Sequence, residues 1–282
     1  MKVVTSISEV RKEIRKARNR GKTVGLIPTM GFLHRGHLSL VEKSVSECGL
    51  TAVSIFVNPA QFGRNEDYGR YPRDMNRDIE MLEKGKADLV FTPSVEEMYK
   101  EGAATSVAVE KLSGVLEGKF RPGHFNGVCT VVCKLFNIFL PDRAYFGWKD
   151  AQQLIIIKRM TGDIDMPVEV IGCPTVREPD GLAASSRNIY ISGNNREKAL
   201  SLYRALKKIE ELYRKKGIKN TASLKREGKN LIRKYPEIQI QYLEIVEPDN
   251  LTPVKKIEEN VLVLGAIKLP AVRLIDNILL VA

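Results

Sequence analysis

The chain of 282 residues carries 45 Lys or Arg against 34 Asp or Glu, a formal net charge of +11, with 43% hydrophobic and 28% charged residues. That balance excludes a disordered or collagen-like chain, and no run approaches the ~18 consecutive apolar residues of a membrane span. The opening MKVVTSISEVRKEIRKARNRGK is too charged for a secretory signal, so a cytoplasmic location is expected, while the basic balance raises nucleic acid or an anionic membrane as partners to be weighed.

Four cysteines, Cys48, Cys129, Cys133 and Cys173, form no CxxC, and neither Cys129 nor Cys133 has a His at ligand spacing. They read as reduced and structural. The length suggests two domains or one large one.

In chain order, residues 8 to 19 read as an exposed, basic opening helix. TVGLIPTM at 23 to 30 is an apolar run that ends in a loop at Gly31, a strand by its composition. Leu38, Leu40, Val41 and Val45 then recur at helical spacing up to about Cys48, and LTAVSIFVNP at 50 to 59 is a β-branched buried strand. The alternation continues with a helix from about Asp74 to Gly85, a strand ADLVFTP, a helix from Gly127 to Leu140, a strand RAYFG, a helix from about Asp150 to Thr161 and a strand MPVEVIG. Repeated βα units imply an α/β fold: a doubly wound parallel sheet, helices on both faces, with ligands at the carboxyl ends of its strands.

After about Thr175 the texture changes. Residues 196 to 234 hold 14 Lys or Arg and 4 Asp or Glu on helical patterns, so nearly all of the net charge lies there, and IQIQYLEIV, NVLVLGAIKL and VRLIDNILLVA follow as strands. The expectation is a first domain over 1–175 and a second, smaller α+β domain over 176–282.

Two of the three histidines, His34 and His37, sit in IPTMGFLHRGHLSLV, where a strand leads through a Gly-containing loop into a helix. Free backbone N–H groups and the helix dipole favour an anion there, and two imidazoles add donors. Gly36 would let a nucleotide approach the backbone. The competing reading is a pair of capping histidines. No GxxxxGK[ST] is present, which excludes a P-loop.

In VREPDGLAASSRN, Ser185, Ser186 and Arg187 suit a polyphosphate, although Ser-Ser-Arg-Asn also fits a helix N-cap. FGWKDAQQL puts Lys149, Asp150 and Gln153 at a strand-to-helix turn. Asp150 could cap that helix, whereas a lysine there opposes the dipole and points to a bound anion. The long polar loop FVNPAQFGRNEDYGRYPRDMNRD offers Gln61 for a hydroxy acid and Asp78 for a hydrated magnesium. GKFRPGHFNG adds Arg121 and His124 before a helix, another arrangement compatible with an anion.

Taken together, PTMGFLHRGH, FVNPAQFG, YPRD, RPGHFNGV, FGWKDAQQL, DGLAASSRN and the terminal RLIDN resemble the pantothenate synthetase (pantoate–β-alanine ligase) family. The match runs through most of residues 22 to 192 and resumes in the last ten. The resemblance implies a Rossmann-like member of the nucleotidyltransferase superfamily, with an HIGH-like motif at His34 to His37 and a KMSKS-like one at Ala184 to Arg187. It implies attack of pantoate on the α-phosphate of ATP to give pantoyl adenylate and pyrophosphate, then attack of β-alanine to give pantothenate and AMP, with Mg2+ as cofactor. It also implies a homodimer with no nucleic-acid or membrane partner.

Carried over by motif, His37, His34, Lys149 and Arg187 would be catalytic. Met30, Gly31, Gly36, Gly147, Asp150, Val176, Ala184, Ser185 and Ser186 would complete the ATP site. Gln61, Gln153, Met30, Phe146, Asn58, His124 and Arg121 would hold pantoate and β-alanine, and Asp78 would hold the magnesium. Two positions depart from the family pattern: Trp148 stands where an acidic residue is frequent, and Arg77 precedes Asp78 where a second acidic residue can occur. Two rivals remain at this stage, a nucleic-acid binder using the basic helices and a nucleotidyl transferase with another acceptor. The lack of interleaved aromatics speaks against the first.

Overall fold

Alternation of β-branched runs with amphipathic helices builds the first 173 residues of the computed structural model, which describes residues 1–63, 66–193 and 195–282. The order is β1 (Lys2–Val4), α1 (Ile7–Arg18), β2 (Val24–Thr29), α2 (Arg35–Glu47), β3 (Leu50–Ile55), α3 (Met75–Lys84), β4 (Leu89–Phe91), the short α4 (Val95–Met98) and α5 (Glu117–Phe120), α6 (His124–Phe139), β5 (Arg143–Gly147), α7 (Ala151–Asp163) and β6 (Glu169–Cys173). The six strands form one parallel sheet in the order β1-β4-β3-β2-β5-β6. From β2 the chain winds outward through β3 and β4. From β5 it winds the other way, to β6. The reversal opens a crevice at the carboxyl ends of β2 and β5, where doubly wound sheets bind ligands.

Both faces of this sheet are buried, which explains why its strands read as continuous apolar runs. Leu26 points into a core shared with α1, α6 and α7. Its neighbour Ile27 points into a core shared with α2 and α3. The opening helix is not simply exposed: Val10, Ile14 and Ala17 recur at spacings of four and three and are buried against that first core. Among the described residues no helix is long and apolar enough to cross a membrane.

The remainder comprises α8 (Asn195–Lys216), α9 (Thr221–Ile232) and an antiparallel sheet of β7 (Gln239–Val246), β8 (Val261–Lys268) and β9 (Arg273–Leu280). One face of this sheet packs Leu243, Ile245 and Val263 against Leu206, Ile209 and Leu224 of the two helices. Tyr242, Leu262, Leu264 and Ala266 instead join the core that contains α6 and α7. An ion pair ties the small sheet to α5: Arg273 of β9 donates to both oxygens of the buried Glu117 of α5, which also accepts from Tyr242 Oη at 2.6 Å. Many of the basic side chains of α8 and α9 are met by carboxylates, as in Arg204 with Glu197, Lys208 with Glu211 and Lys225 with Glu244.

Candidate active site

The loop after β2 is pinned from beneath before it reaches α2. Thr29 Oγ1 accepts the Gly31 N–H at 3.2 Å and donates to the Ser54 carbonyl at 2.8 Å. Gly31 has φ +80° and its Cα faces Ile55 and Asp78, so it shapes the loop from below and does not line the cleft. The main-chain N–H groups of Phe32 and Leu33 each donate at 2.7 Å to one oxygen of the buried Asp78, and the adjacent Arg77 donates to the Leu33 carbonyl at 3.1 Å. These two bonds give Asp78 a role in holding the loop. Both of its oxygens hold main chain, it lies off the cleft wall, and burial raises its pKa against those two bonds. Among the described residues no group of three or more His, Cys, Asp or Glu is placed to hold a metal. Arg77, a departure from the family pattern, serves the same loop as its neighbour.

His34 is the N-cap of α2, and its Nδ1 accepts the Gly36 N–H at 3.1 Å. His37 Nδ1 accepts the His34 N–H at 3.3 Å, closing a capping box made of two imidazoles whose centroids are 4.0 Å apart. The capping reading and the cleft reading therefore hold at once. Because each Nδ1 is an acceptor, the neutral rings carry their protons on Nε2. Burial, with Lys149 nearby, lowers the His34 pKa to about 4. Burial and the neighbouring His34 push His37 well below its usual value. At neutral pH both rings are uncharged donors. Gly36 has a reason other than nucleotide approach: a Cβ there would come within 2.9 Å of His34 Cε1.

A second segment arrives from β5. Gly147 leads into a 3-10 turn, Trp148–Asp150, which carries Lys149 to the cleft before α7 starts. Asp150 makes no capping bond, contrary to the bland alternative, and sits 3.4 Å from Lys149 Nζ. Trp148, the other departure, packs against the main core, with the Lys158 ammonium 5.9 Å from its ring. The Asn277 side chain of β9 donates to the carbonyls of Trp148 and Lys149 at 2.8 and 3.0 Å.

A third segment follows β6. Arg177 and Ala183 pair as a short antiparallel bridge, and the Ala184 N–H donates to the Val176 carbonyl at 2.9 Å. Ser185 caps a 3-10 helix, Ser186–Tyr190, by accepting the Arg187 N–H. Ser186 Oγ donates to the Phe32 carbonyl at 3.0 Å, tying this segment to the histidine loop. The Arg187 guanidinium forks onto Asp67 at 2.9 and 3.0 Å and lies 5.5 Å from the Tyr71 ring.

The fourth segment is the loop after β3. Asn58 is spent internally: its amide donates to Gln61 and to the Gly127 carbonyl, and its oxygen accepts from Tyr99 Oη at 2.8 Å. The Gln61 side-chain amide donates to Met30 Sδ, and the Gln61 main-chain carbonyl accepts from His124 Nδ1 at 2.8 Å. That leaves His124 Nε2 to accept from Arg121 at 2.9 Å, and burial with the Arg121 charge lowers the His124 pKa to about 4. Arg121 itself forks onto Glu66 at 2.7 and 2.6 Å. Burial opposes ionisation of Glu66 and Asp67, but their arginine partners outweigh it and hold both below the usual carboxylate range. Gln153, on the first turn of α7, has no side-chain hydrogen bond among the described residues, and Phe146 lies buried beside it in the wall.

Every residue expected in the site except Gly31 and Asp78 lines one cleft at the strand-order reversal, a cavity of about 210 Å³. That volume alone is small for a nucleotide. A second cavity of about 500 Å³ continues it, shares Arg121, Lys149, Asp150, Ser185 and Arg187, and is bounded on its far side by β9. Combined, they fall within the roughly 300–1,000 Å³ of ligand pockets. Sequence reasoning did not single out Glu66, Asp67, Tyr71, Asp276 or Asn277. The loop of the first three and the RLIDN motif of the last two stood out, but nothing in their pattern states what they touch.

The profile of a family described as pantoate-beta-alanine ligase matches residues 2–279. The chain belongs to the pantoate–β-alanine ligase family. It is 55% identical over 280 residues to the pantothenate synthetase of Pseudothermotoga lettingae, 99% of each chain, and 52% identical over 278 residues to that of Caldicellulosiruptor saccharolyticus, again 99% of each. Among solved structures, pantothenate synthetase from Thermus thermophilus superposes with a TM-score of 0.94 at 48% identity, covering 99% of both chains. The ligase family member from Francisella tularensis, whose crystal structure is described as complexed with beta-gamma ATP and beta-alanine, gives 0.81 at 34% identity, covering 99% of this chain and 97% of that one. The parallel six-stranded sheet with a small antiparallel sheet is thus the architecture of this enzyme family.

Proposed function

We propose that the protein joins pantoate to β-alanine at the expense of ATP, in two steps within the one cleft. A pantoate carboxylate oxygen attacks the α-phosphorus, forming pantoyl adenylate as the bond to the bridging oxygen breaks and pyrophosphate leaves. The β-alanine amine then attacks the acyl carbon, AMP departs, and the amine proton goes to solvent. The observation that carries this reading is the convergence of two neutral Nε2–H donors, His34 and His37, with two fixed cations, Lys149 and Arg187, where the strand order reverses. Displacement at phosphorus is served by positioning and charge neutralisation, and no side-chain nucleophile is needed.

In this reading the imidazoles hold phosphate oxygens, and Lys149, Ser185, Ser186 and Arg187 meet the charge that grows on pyrophosphate. Gly147, Asp150, Val176, Ala184 and Gly36 flank the nucleoside. Met30, Phe146, Gln61 and Gln153 receive pantoate. Asn58, Arg121 and His124 support that end of the cleft, with Arg121 freed from Glu66 to take a carboxylate. Magnesium would enter with the nucleotide, and Asp78, whose oxygens each accept one main-chain bond, keeps lone pairs for it. Residues 1–175 form the binding domain in this proposal and 176–282 close over it, which would keep water from the adenylate. A homodimer in a cytoplasmic setting completes it, and the four free cysteines fit a reducing compartment.

Incubation with ATP, pantoate and β-alanine should yield AMP and pyrophosphate in step with pantothenate. ADP and inorganic phosphate as products would refute the adenylate route, and AMP without amide formation would point to another acceptor. Light scattering of the purified chain tests the dimer.

A further inference from the structure

Two adjacent residues of the last strand, Asp276 and Asn277, each reach one of the segments that carry the cleft's cations. Both are buried, 6% and 7% exposed. Asn277 Nδ2 donates to the carbonyls of Trp148 and Lys149, so it grips the main chain of the turn from which Lys149 projects. Asp276 takes Arg177 in a fork, at 2.7 and 2.9 Å. Arg177 in turn donates to the Gly181 carbonyl at 3.0 Å and stacks 4.6 Å from the Tyr203 ring, which fixes the 177–183 hairpin that runs directly into Ala184–Arg187. The two branches are joined at their root: the Asn277 N–H donates to Asp276 Oδ1 at 2.8 Å, and Arg177 reaches the Asn277 carbonyl at 3.3 Å. Pairing of β9 with β8 over eight residues gives this root a rigid base.

We propose that Asp276 and Asn277 are positioning residues for adenylate formation: from one rigid strand they set the Lys149 turn and the Ser185–Arg187 segment in register with each other. Neither touches the reacting atoms. Lys149 and Arg187 come from different parts of the chain, after β5 and after β6, and a leaving pyrophosphate needs both in one geometry. The only element that bonds to the main chain of the first and, through Arg177, to the hairpin behind the second, among the described residues, is this dipeptide. Displacement of a positioned group by about 1 Å costs on the order of a hundredfold in rate. The inference rests on the adenylating function proposed above.

The test is pantoate-dependent ATP–pyrophosphate exchange, with single-turnover AMP release for slow variants. Asn277→Ala is expected to lower kcat by roughly 10- to 100-fold, with KM for pantoate changed by less than about threefold, because Gln61, Gln153 and Phe146 are untouched. On a Lys149→Ala background the same change should cost less than about threefold, and Asp276→Asn should likewise lose its effect on an Arg187→Ala background, since coupled residues are not additive. Losses that multiply on those backgrounds, or a KM for pantoate that rises in parallel with the fall in kcat, would overturn the proposal. If Asn277→Ala does not fold, Asn277→Asp, which keeps the volume and removes the donors, and Asp276→Asn carry the test. Failure of all three to fold would show the pair to be structural only, also overturning it. A wild-type protein with no exchange would instead refute the adenylating function, a result separate from a wild type that exchanges beside variants that match it.

Discussion

The two strand ends that meet at the crevice bring unlike chemistry to it. At β2 the donors are His34 and His37, held by their own capping box and uncharged at neutral pH because burial disfavours the imidazolium. At β5, and on the segment after β6, the groups are a lysine and an arginine. The difference assigns labour. In the proposed reaction the neutral imidazoles would orient phosphate oxygens through their N–H dipoles, which respond less than a full charge does to charge that moves during the reaction. The two cations would gain more as charge moves onto the leaving group, which is where differential stabilisation arises.

The comparison breaks first on the cations. Lys149→Ala should lower kcat for adenylate formation by roughly 10²- to 10³-fold, with a smaller effect on KM for ATP, as removal of one electrostatic donor does elsewhere. A loss carried mainly by KM would move Lys149 to the orienting side. His37→Ala should cost less, on the order of 10-fold to 100-fold, divided between KM and kcat, and the lost cap should remove about 1 kcal/mol of stability with the fold intact. A His37→Ala chain that fails to fold would leave only the capping role.

A third substitution sharpens the boundary between the nucleotide end and the other end of the cleft. Gln61 is buried, with its side-chain amide nitrogen on Met30 Sδ and its side-chain oxygen accepting from Asn58. Gln61→Ala should raise KM for pantoate about tenfold and leave KM for ATP within about threefold, in line with about 1–2 kcal/mol for a lost polar contact. An equal rise in both would place Gln61 outside the pantoate end. Asp78→Asn tests whether that carboxylate serves the loop alone. Replacing one acceptor by an amide donor opposite Phe32 or Leu33 should cost about 1–3 kcal/mol in thermal or denaturant unfolding, while the magnesium concentration for half-maximal activity stays put. A shift in that requirement would restore Asp78 as a ligand.

What the sequence disclosed, and what it hid, follows from the range of each interaction. The six parallel strands and their helices were legible because burial on both sheet faces writes continuous apolar runs, and amphipathic helices write a period. The histidine pair was legible as a strand-to-helix feature for the same local reason. The short strand Lys2–Val4 escaped notice because three residues cannot show a period. The loop role of Asp78 was hidden because a carboxylate that holds the backbone of Phe32, 46 residues away, looks in sequence like one that holds a metal. Glu66, Asp67, Asp276 and Asn277 act across 55, 120, 99 and 128 residues of chain, and no local pattern records such partners. The global charge misled in the opposite sense: it marks α8 and α9, where many cations already face carboxylates, and says little about the cleft.

The last comparison concerns pH, and it isolates the neutral side of the cleft. His34 and His124 have folded pKa values near 4, below the ordinary 6.5, and His37 is lowered too. Between about pH 4 and 6.5 the unfolded chain therefore binds more protons than the folded one, so stability must fall as pH drops through that window, by at most about 1.4 kcal/mol per pH unit for each histidine. Glu66 and Asp67 add a loss of the same sign that begins in the usual carboxylate range, as the unfolded chain takes up protons, and runs down through their lowered folded values. The histidine part is thus readable from pH 6.5 down to about 4.5, and His34→Gln should flatten the slope of unfolding free energy there while leaving the carboxylate-dependent loss at lower pH. By the same logic kcat/KM for ATP should show no step near pH 6.5, because the rings are already neutral on both sides of it. A step at that pH would mean that His34 or His37 binds ATP as a cation, and the division of labour between the two strand ends would dissolve into one continuous positive field.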